Sequence, residues 1–212
     1  MRGDEGGGRR AGAVALDLLD RSRPAPGQRL ASIGHDPGEM RSAERNSQRV
    51  RLVIVAGLPA TGKTTLALEL EGELGAVRLS ADDWLSELGI DPFDTLARAR
   101  IEQLQWRMGQ RLLELGAVVI VEWGTWSRNE RDALRERARE LGATAELRFL
   151  DAEPGELWRR ISARDRERTQ ASRAISVEDI EGWAAQIERP TPDELALFDP
   201  PARTEYDPRP AP

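Results

Sequence analysis

One stretch limits what this chain can fold into: Gly57-Leu58-Pro59-Ala60-Thr61-Gly62-Lys63-Thr64. It meets the pattern G-x-x-x-x-G-K-S/T at every fixed position. The flanks agree with it. Leu52-Val53-Ile54-Val55 is a short apolar run of the kind buried on both faces of a parallel sheet. Leu66, Leu70 and Leu74 recur at helical spacing and predict a helix over 65–74. Strand, glycine loop and helix in that order build a cradle for phosphate. Gly57 and Gly62 let the backbone turn tightly and approach an anion closely. Successive N–H groups then converge at a helix N-terminus, where the helix dipole also favours negative charge. The binding stretch is read as Gly57, Leu58, Pro59, Ala60, Thr61, Gly62, Lys63, Thr64 and Thr65. Lys63 places a positive charge near the β- and γ-phosphates of a nucleotide, and the Thr64 hydroxyl suits the shell of a Mg²⁺ ion. Lys63 is also the only lysine in the chain, every other strongly basic side chain being arginine. A compact ammonium on a flexible stem is not replaceable there by a planar guanidinium.

Composition narrows the rest. The chain has 212 residues, 39% hydrophobic and 32% charged, enough for one globular domain with a core. It has no cysteine, which excludes a disulfide framework and a thiolate metal site. A single histidine, His35, cannot anchor a multi-histidine site. No apolar run approaches the ~18–20 residues that span a bilayer. Asp4, Glu5 and a glycine run stand where a signal peptide would need an apolar core, so a soluble, cytoplasmic protein is expected. The net charge of −6 provides no global attraction to nucleic acid.

Residues 1–48 differ from the rest of the chain, being rich in Gly, Arg, Pro and Ser, with one apolar island from Ala13 to Leu19. They read as a disordered arm, and the folded pattern starts soon enough after Met40 to make that residue a candidate start. From 49 to 198 strands and helices alternate, which predicts a single α/β domain with a parallel sheet and helices on both faces. The later strands are expected at 76–80, 117–121 and 145–150. A long helix over 94–115 should turn Leu96, Ile101, Leu104, Met108, Leu112 and Leu115 inward. Ser127 and Glu130 form a capping box that opens a helix to Leu141. Arginine-rich and Ser176-capped helices come next, over 154–168 and 177–187, and the Pro-rich stretch 199–212 reads as a loose tail.

Taken in chain order, four segments resemble a known group. They are the loop from Gly57 to Thr64, the strand end Ser80-Ala81-Asp82-Asp83, the segment carrying Trp126, Arg128 and Arg131, and the helix with Arg159, Arg160 and Arg164. They resemble the P-loop small-molecule and polynucleotide kinases, often described as AAA-family ATP-binding proteins. That group includes the 5′-kinase domain of polynucleotide kinase, chloramphenicol phosphotransferase, the zeta-type toxins and gluconate kinase. The resemblance spans roughly residues 50–198. It implies a P-loop NTPase fold and transfer of the γ-phosphoryl group of Mg·ATP to an acceptor hydroxyl. The acceptor is a small molecule, with a nucleic-acid 5′ end less favoured. Hydrolysis of ATP without an acceptor is the alternative.

The resemblance also implies roles. Asp82, after the second strand, takes the proton of the acceptor hydroxyl, with Asp83 able to exchange roles with it. Either acid would equally serve as a helix N-cap. Glu122 ends the most apolar strand, where other nucleotide hydrolases place an aspartate for the metal; here it serves metal, faces substrate or is a structural acid. Trp126 is expected on the crevice, able to stack a flat substrate, and Trp123 in the core. Arg128 and Arg131 lie one turn apart and are read as a clamp for a substrate anion. Arg160 and Arg164, spaced to share a face, resemble the lid arginines that offset charge on the transferring group.

Overall fold

The computed structural model describes residues 50–167 and 175–202. Within them lie four strands: β1 (Arg51–Gly57), β2 (Val77–Ser80), β3 (Val118–Glu122) and β4 (Thr144–Leu150). All pairings are parallel, in the order β2-β3-β1-β4. The helices are α1 (Lys63–Leu74), α2 (Ala81–Glu87), α3 (Thr95–Glu114), α4 (Arg128–Glu140), α5 (Pro154–Glu167), α6 (Val177–Gln186) and α7 (Pro192–Leu195). The fold is therefore α/β, as the alternation of apolar runs and helical periodicity requires.

The pleat of β1 explains the layering. Leu52, Ile54 and Ala56 join a core with Leu85, Ile101, Trp106 and Leu134, from α2, α3 and α4. Val53 and Val55 point to the other face and pack with Ala67 and Leu70 of α1. Residues 52–55 are 0% exposed, which a strand attains only when both faces are covered. A separate apolar cluster lies at the loop. Leu58 packs there with Trp126 and with Leu157, Ile161, Ile180 and Ile187 of the α5–α6 region. Because all four strands run the same way, their C-terminal ends gather the glycine loop, the start of α2, Glu122 and the end of β4 on one side of the sheet. In open parallel sheets that side is where ligands bind.

The structure departs from expectation in several places. Helix α1 starts at Lys63, with Gly62 as N-cap, two residues before the apolar periodicity becomes visible. Helix α3 turns another face inward. Ile101 is buried and Leu112 half-buried as expected, but Leu96, Leu104, Met108 and Leu115 are exposed, and Ala99, Gln105, Trp106, Gly109 and Leu113 are buried instead. The reason is closeness and polarity. A Cβ on Gly109 would stand only 3.0 Å from Leu79 Cδ1, so this face approaches the sheet more tightly than a leucine face can. Gln105 also satisfies two buried groups, accepting from Trp123 Nε1 at 2.8 Å and donating to the Ser80 carbonyl at 2.9 Å. Helix α7 is an addition to the expected elements, although its start is written locally: Thr191 caps it, accepting from Glu194 N at 3.2 Å, and Pro192 opens its first turn. Residues 199–202 are docked rather than loose: Asp199 N donates to the Ala145 carbonyl and Ala145 N to Asp199 Oδ2, both at 2.8 Å. The arm 1–48, Arg168 and the tail 203–212 lie outside the described residues. Among those described, no helix is long and apolar enough to cross a membrane.

Candidate functional site

The loop between β1 and α1 is wound around one carbonyl. Leu58 O accepts from Thr61 Oγ1 and from Lys63 Nζ, each at 2.8 Å. Gly62 caps α1 with φ 97° and offers no side chain, and the first turn of α1 contains no acid. The helix N-terminus is thus left without an internal anion, as a phosphate site needs. Gly57 has φ 142°, and a Cβ there would meet Leu150 O at 2.3 Å. Both facts demand glycine. Gly57→Ala is expected to cost about 1–3 kcal/mol of strained backbone. It should also abolish nucleotide binding, read by titration with a fluorescent ATP analogue. Wild-type affinity in that variant would mean that the loop re-forms away from β4.

Thr64 and Glu122 meet across the β1–β3 pair. Thr64 Oγ1 donates to Glu122 Oε1 at 2.5 Å. The second Glu122 oxygen takes Nη1 of Arg78 at 2.6 Å, and Nη2 of the same guanidinium reaches Asp83. Burial by itself lowers the pKa of Arg78. The hydrogen bonds to Glu122 and Asp83, with their charges, outweigh it and hold the guanidinium above its ordinary value. Ser80, not Asp82 or Asp83, is the N-cap of α2; its hydroxyl accepts from Asp83 N at 3.3 Å. That leaves both acids in the first turn of α2, where a carboxylate suits the helix dipole. The Asp82 side chain is 68% exposed and pairs with Arg98 of α3.

Of the remaining expected residues, Arg160 reaches the loop, donating Nη1 to the Ala60 carbonyl at 3.2 Å. The side chain of Arg164 lies outside the described part of the structure. Trp123 is in the core, edge-on to Trp106 with ring centroids 6.3 Å apart. Trp126 does not line the crevice. It is 5% exposed, packed in the cluster around Leu58 and edge-on to Trp183. The α5–α6 region needs an apolar anchor on the sheet, and Trp126 supplies it. The clamp of Arg128 and Arg131 is likewise corrected. Arg128 is on the surface, paired with Asp132. Arg131 is fully buried, held by both oxygens of Glu194 at 2.6 and 3.0 Å. Its Nη1 donates to the carbonyls of Thr125 and Trp126 at 3.2 and 3.1 Å. Arg131 therefore pins the turn after β3, where Thr125 has φ 36°.

Sequence reasoning missed Arg78, Arg98, Gln105 and Glu194. Arg78 carried a signal, a charge set inside an apolar strand between Val77 and Leu79. Glu194 carried only the signal of a helix start, three residues after Thr191; its ion-pair partner is 63 residues away.

A parallel sheet whose first strand enters a glycine loop, with a lysine and a threonine opening the next helix, defines the P-loop nucleotide-binding class. The sequence profile of the AAA domain family matches residues 52–190, and the chain belongs to that family. Two solved structures are similar in fold. One is a protein of Chloroflexus aurantiacus provisionally designated a kinase, at 24% identity and TM-score 0.50, with 63% of this chain and 75% of that chain covered. The other belongs to the Pnkp1/Rnl/Hen1 RNA repair complex, at 23% identity and TM-score 0.54. There 64% of this chain matches 43% of its length. A search of curated proteins finds no match.

Proposed function

We propose that the protein is a kinase that transfers the γ-phosphoryl group of ATP to a hydroxyl of a small-molecule acceptor. The observation that carries this reading is Asp82. It is a solvent-facing carboxylate in the first turn after β2, at the same end of the sheet as the phosphate loop, and Arg98 orients it. A carboxylate there is suited to an acceptor that diffuses in. The acceptor oxygen forms its bond to the γ-phosphorus as the bond to the bridging oxygen of ADP breaks, and the hydroxyl proton passes to Asp82. Lys63 exchanges the Leu58 carbonyl for phosphate oxygens. Arg160, already at the loop, and Arg164, one turn on in α5, offset the developing charge. The α5–α6 region, packed on Leu58 through Leu157, Ile161 and Ile180, limits access of water to the loop.

Thr64 and Glu122 have the hydroxyl and carboxylate oxygens that a Mg²⁺ ion takes alongside nucleotide phosphates, and they would hold it there. When bound, such an ion neutralises charge on the β- and γ-oxygens. A small acceptor is favoured over a nucleic-acid track by the pairing of the surface arginines. Arg128 faces Asp132, Arg137 faces Glu140, and Arg159 and Arg160 share Glu156, each on its own helix. The 5′ end of an oligonucleotide is the runner-up acceptor.

The test is transfer from γ-labelled ATP to a panel of nucleosides, sugar acids, hydroxylated antibiotics and 5′-hydroxyl oligonucleotides. Wild type should label one class of acceptor. Lys63→Ala should reduce that labelling by about 10²–10³-fold, the usual effect of removing one pre-organised charge-stabilising donor. Lys63-dependent release of free phosphate with no labelled acceptor would replace this reading with a hydrolase.

A further inference from the structure

Arg78 does more than the transfer reading asks of it. It lies on β2, on the face of the sheet that α1 covers, with its side chain 12% exposed. Three elements bring carboxylates to it. Glu122 of β3 lies 2.6 Å from Nη1, Asp83 of α2 meets Nη2, and Glu71 of α1 stands 3.6 Å from Nε. The Glu122 side chain is itself only 4% exposed, and its remaining oxygen accepts from Thr64. Both oxygens of the acid beside the phosphate loop are thus engaged, one by a cation and one by the hydroxyl expected to serve a metal. A carboxylate buried to that degree is costly unless a positive charge accompanies it. The charge beside it is Arg78. Its planar fork also reaches Glu122 and Asp83 together, which a single ammonium cannot do.

We infer that Arg78 is a positioning residue that acts through Glu122: it is the resident counter-ion of that carboxylate, holds it on Thr64, and prevents the site from capturing a divalent cation until a nucleotide supplies its phosphates. A cation arriving alone must displace the guanidinium and compete with the Thr64 hydroxyl. Without Arg78, Glu122, Asp83 and Glu71 are left as three neighbouring negative charges, and the same cation is attracted. The inference concerns the nucleotide-free chain and does not rest on the kinase reading; a hydrolase would be governed in the same way.

The test is a Mn²⁺ titration of the full chain without nucleotide, with free Mn²⁺ read by electron paramagnetic resonance and folding checked by circular dichroism. Wild type should leave Mn²⁺ free into the millimolar range. Arg78→Met should gain one bound Mn²⁺ per chain with at least tenfold tighter apparent affinity, and adding Glu122→Gln should remove it. Arg78→Lys keeps a charge beside Glu122 without the fork to Asp83, and should gain far less Mn²⁺ affinity than Arg78→Met. If Arg78→Met does not fold, Arg78→Gln carries the same expectation, because its amide can still donate to Glu122 without a charge. A purely structural Arg78 would lower the melting temperature of the Met variant and leave the Mn²⁺ titration unmoved, which would overturn the inference. A tight nucleotide-free site in wild type, or one gained equally by Arg78→Lys, would overturn it as well.

Discussion

Replacing Glu194 by alanine should destabilise the fold by about 3–5 kcal/mol, the usual cost of removing one partner from a buried ion pair. The Arg131 side chain is 0% exposed and that of Glu194 1%, so the guanidinium left behind has no route to water without local unfolding. Its contacts with the carbonyls of Thr125 and Trp126 remain, but these are neutral and do not replace a bidentate carboxylate. At about 2–4 °C per kcal/mol for a chain of this size, the melting temperature should fall by roughly 6–20 °C. Urea denaturation with linear extrapolation measures the free energy directly. The double variant Arg131→Met/Glu194→Leu should recover much of the loss, because apolar groups of similar volume can replace a buried pair at little cost. A single variant within about 1 kcal/mol of wild type, as for an exposed pair, would mean that α7 is not docked in solution.

Asp82→Asn should leave ATP affinity near that of wild type and reduce phosphoryl transfer to the identified acceptor by about 10²–10⁴-fold, the range for loss of a general base. Asparagine keeps the shape and can still meet Arg98, but it cannot take a proton. The effect should fall on kcat more than on KM, because the proton moves only in the transition state. Asp83 is the poorer candidate, its side chain being 48% exposed against 68% for Asp82 and tied through Arg78 to the buried Glu122. Unchanged transfer in Asp82→Asn would remove Asp82 from the reaction and direct attention to Asp83.

The parts of this protein legible in one dimension are those whose cause is local. The eight residues from Gly57 to Thr64 demand a particular backbone path whatever surrounds them, and the apolar run before them demands a strand covered on both faces. The capping boxes at Ser127 and at Ser176 are likewise written within four residues and appear as expected. Tertiary structure decided what depends on distance. A leucine stripe on α3 has the spacing of a buried face, yet the close approach of Gly109 to Leu79 and the two hydrogen bonds of Gln105 selected another. Arg131 has the spacing of a surface clamp with Arg128. Glu194, arriving on a short helix 63 residues later, turned it into a buried strut for the Thr125–Trp126 turn. Trp126 became an anchor for the α5–α6 region rather than a platform for a ligand. Arg78 met Glu122 only because β2 and β3 are neighbours in register, with Ser80 opposite Glu122. The sequence alone thus determined the phosphate cradle and the class of fold around it. Which charges stand beside that cradle, and which are buried to support it, came from long-range packing, because a side chain's role is set by partners the chain brings near only once it has folded.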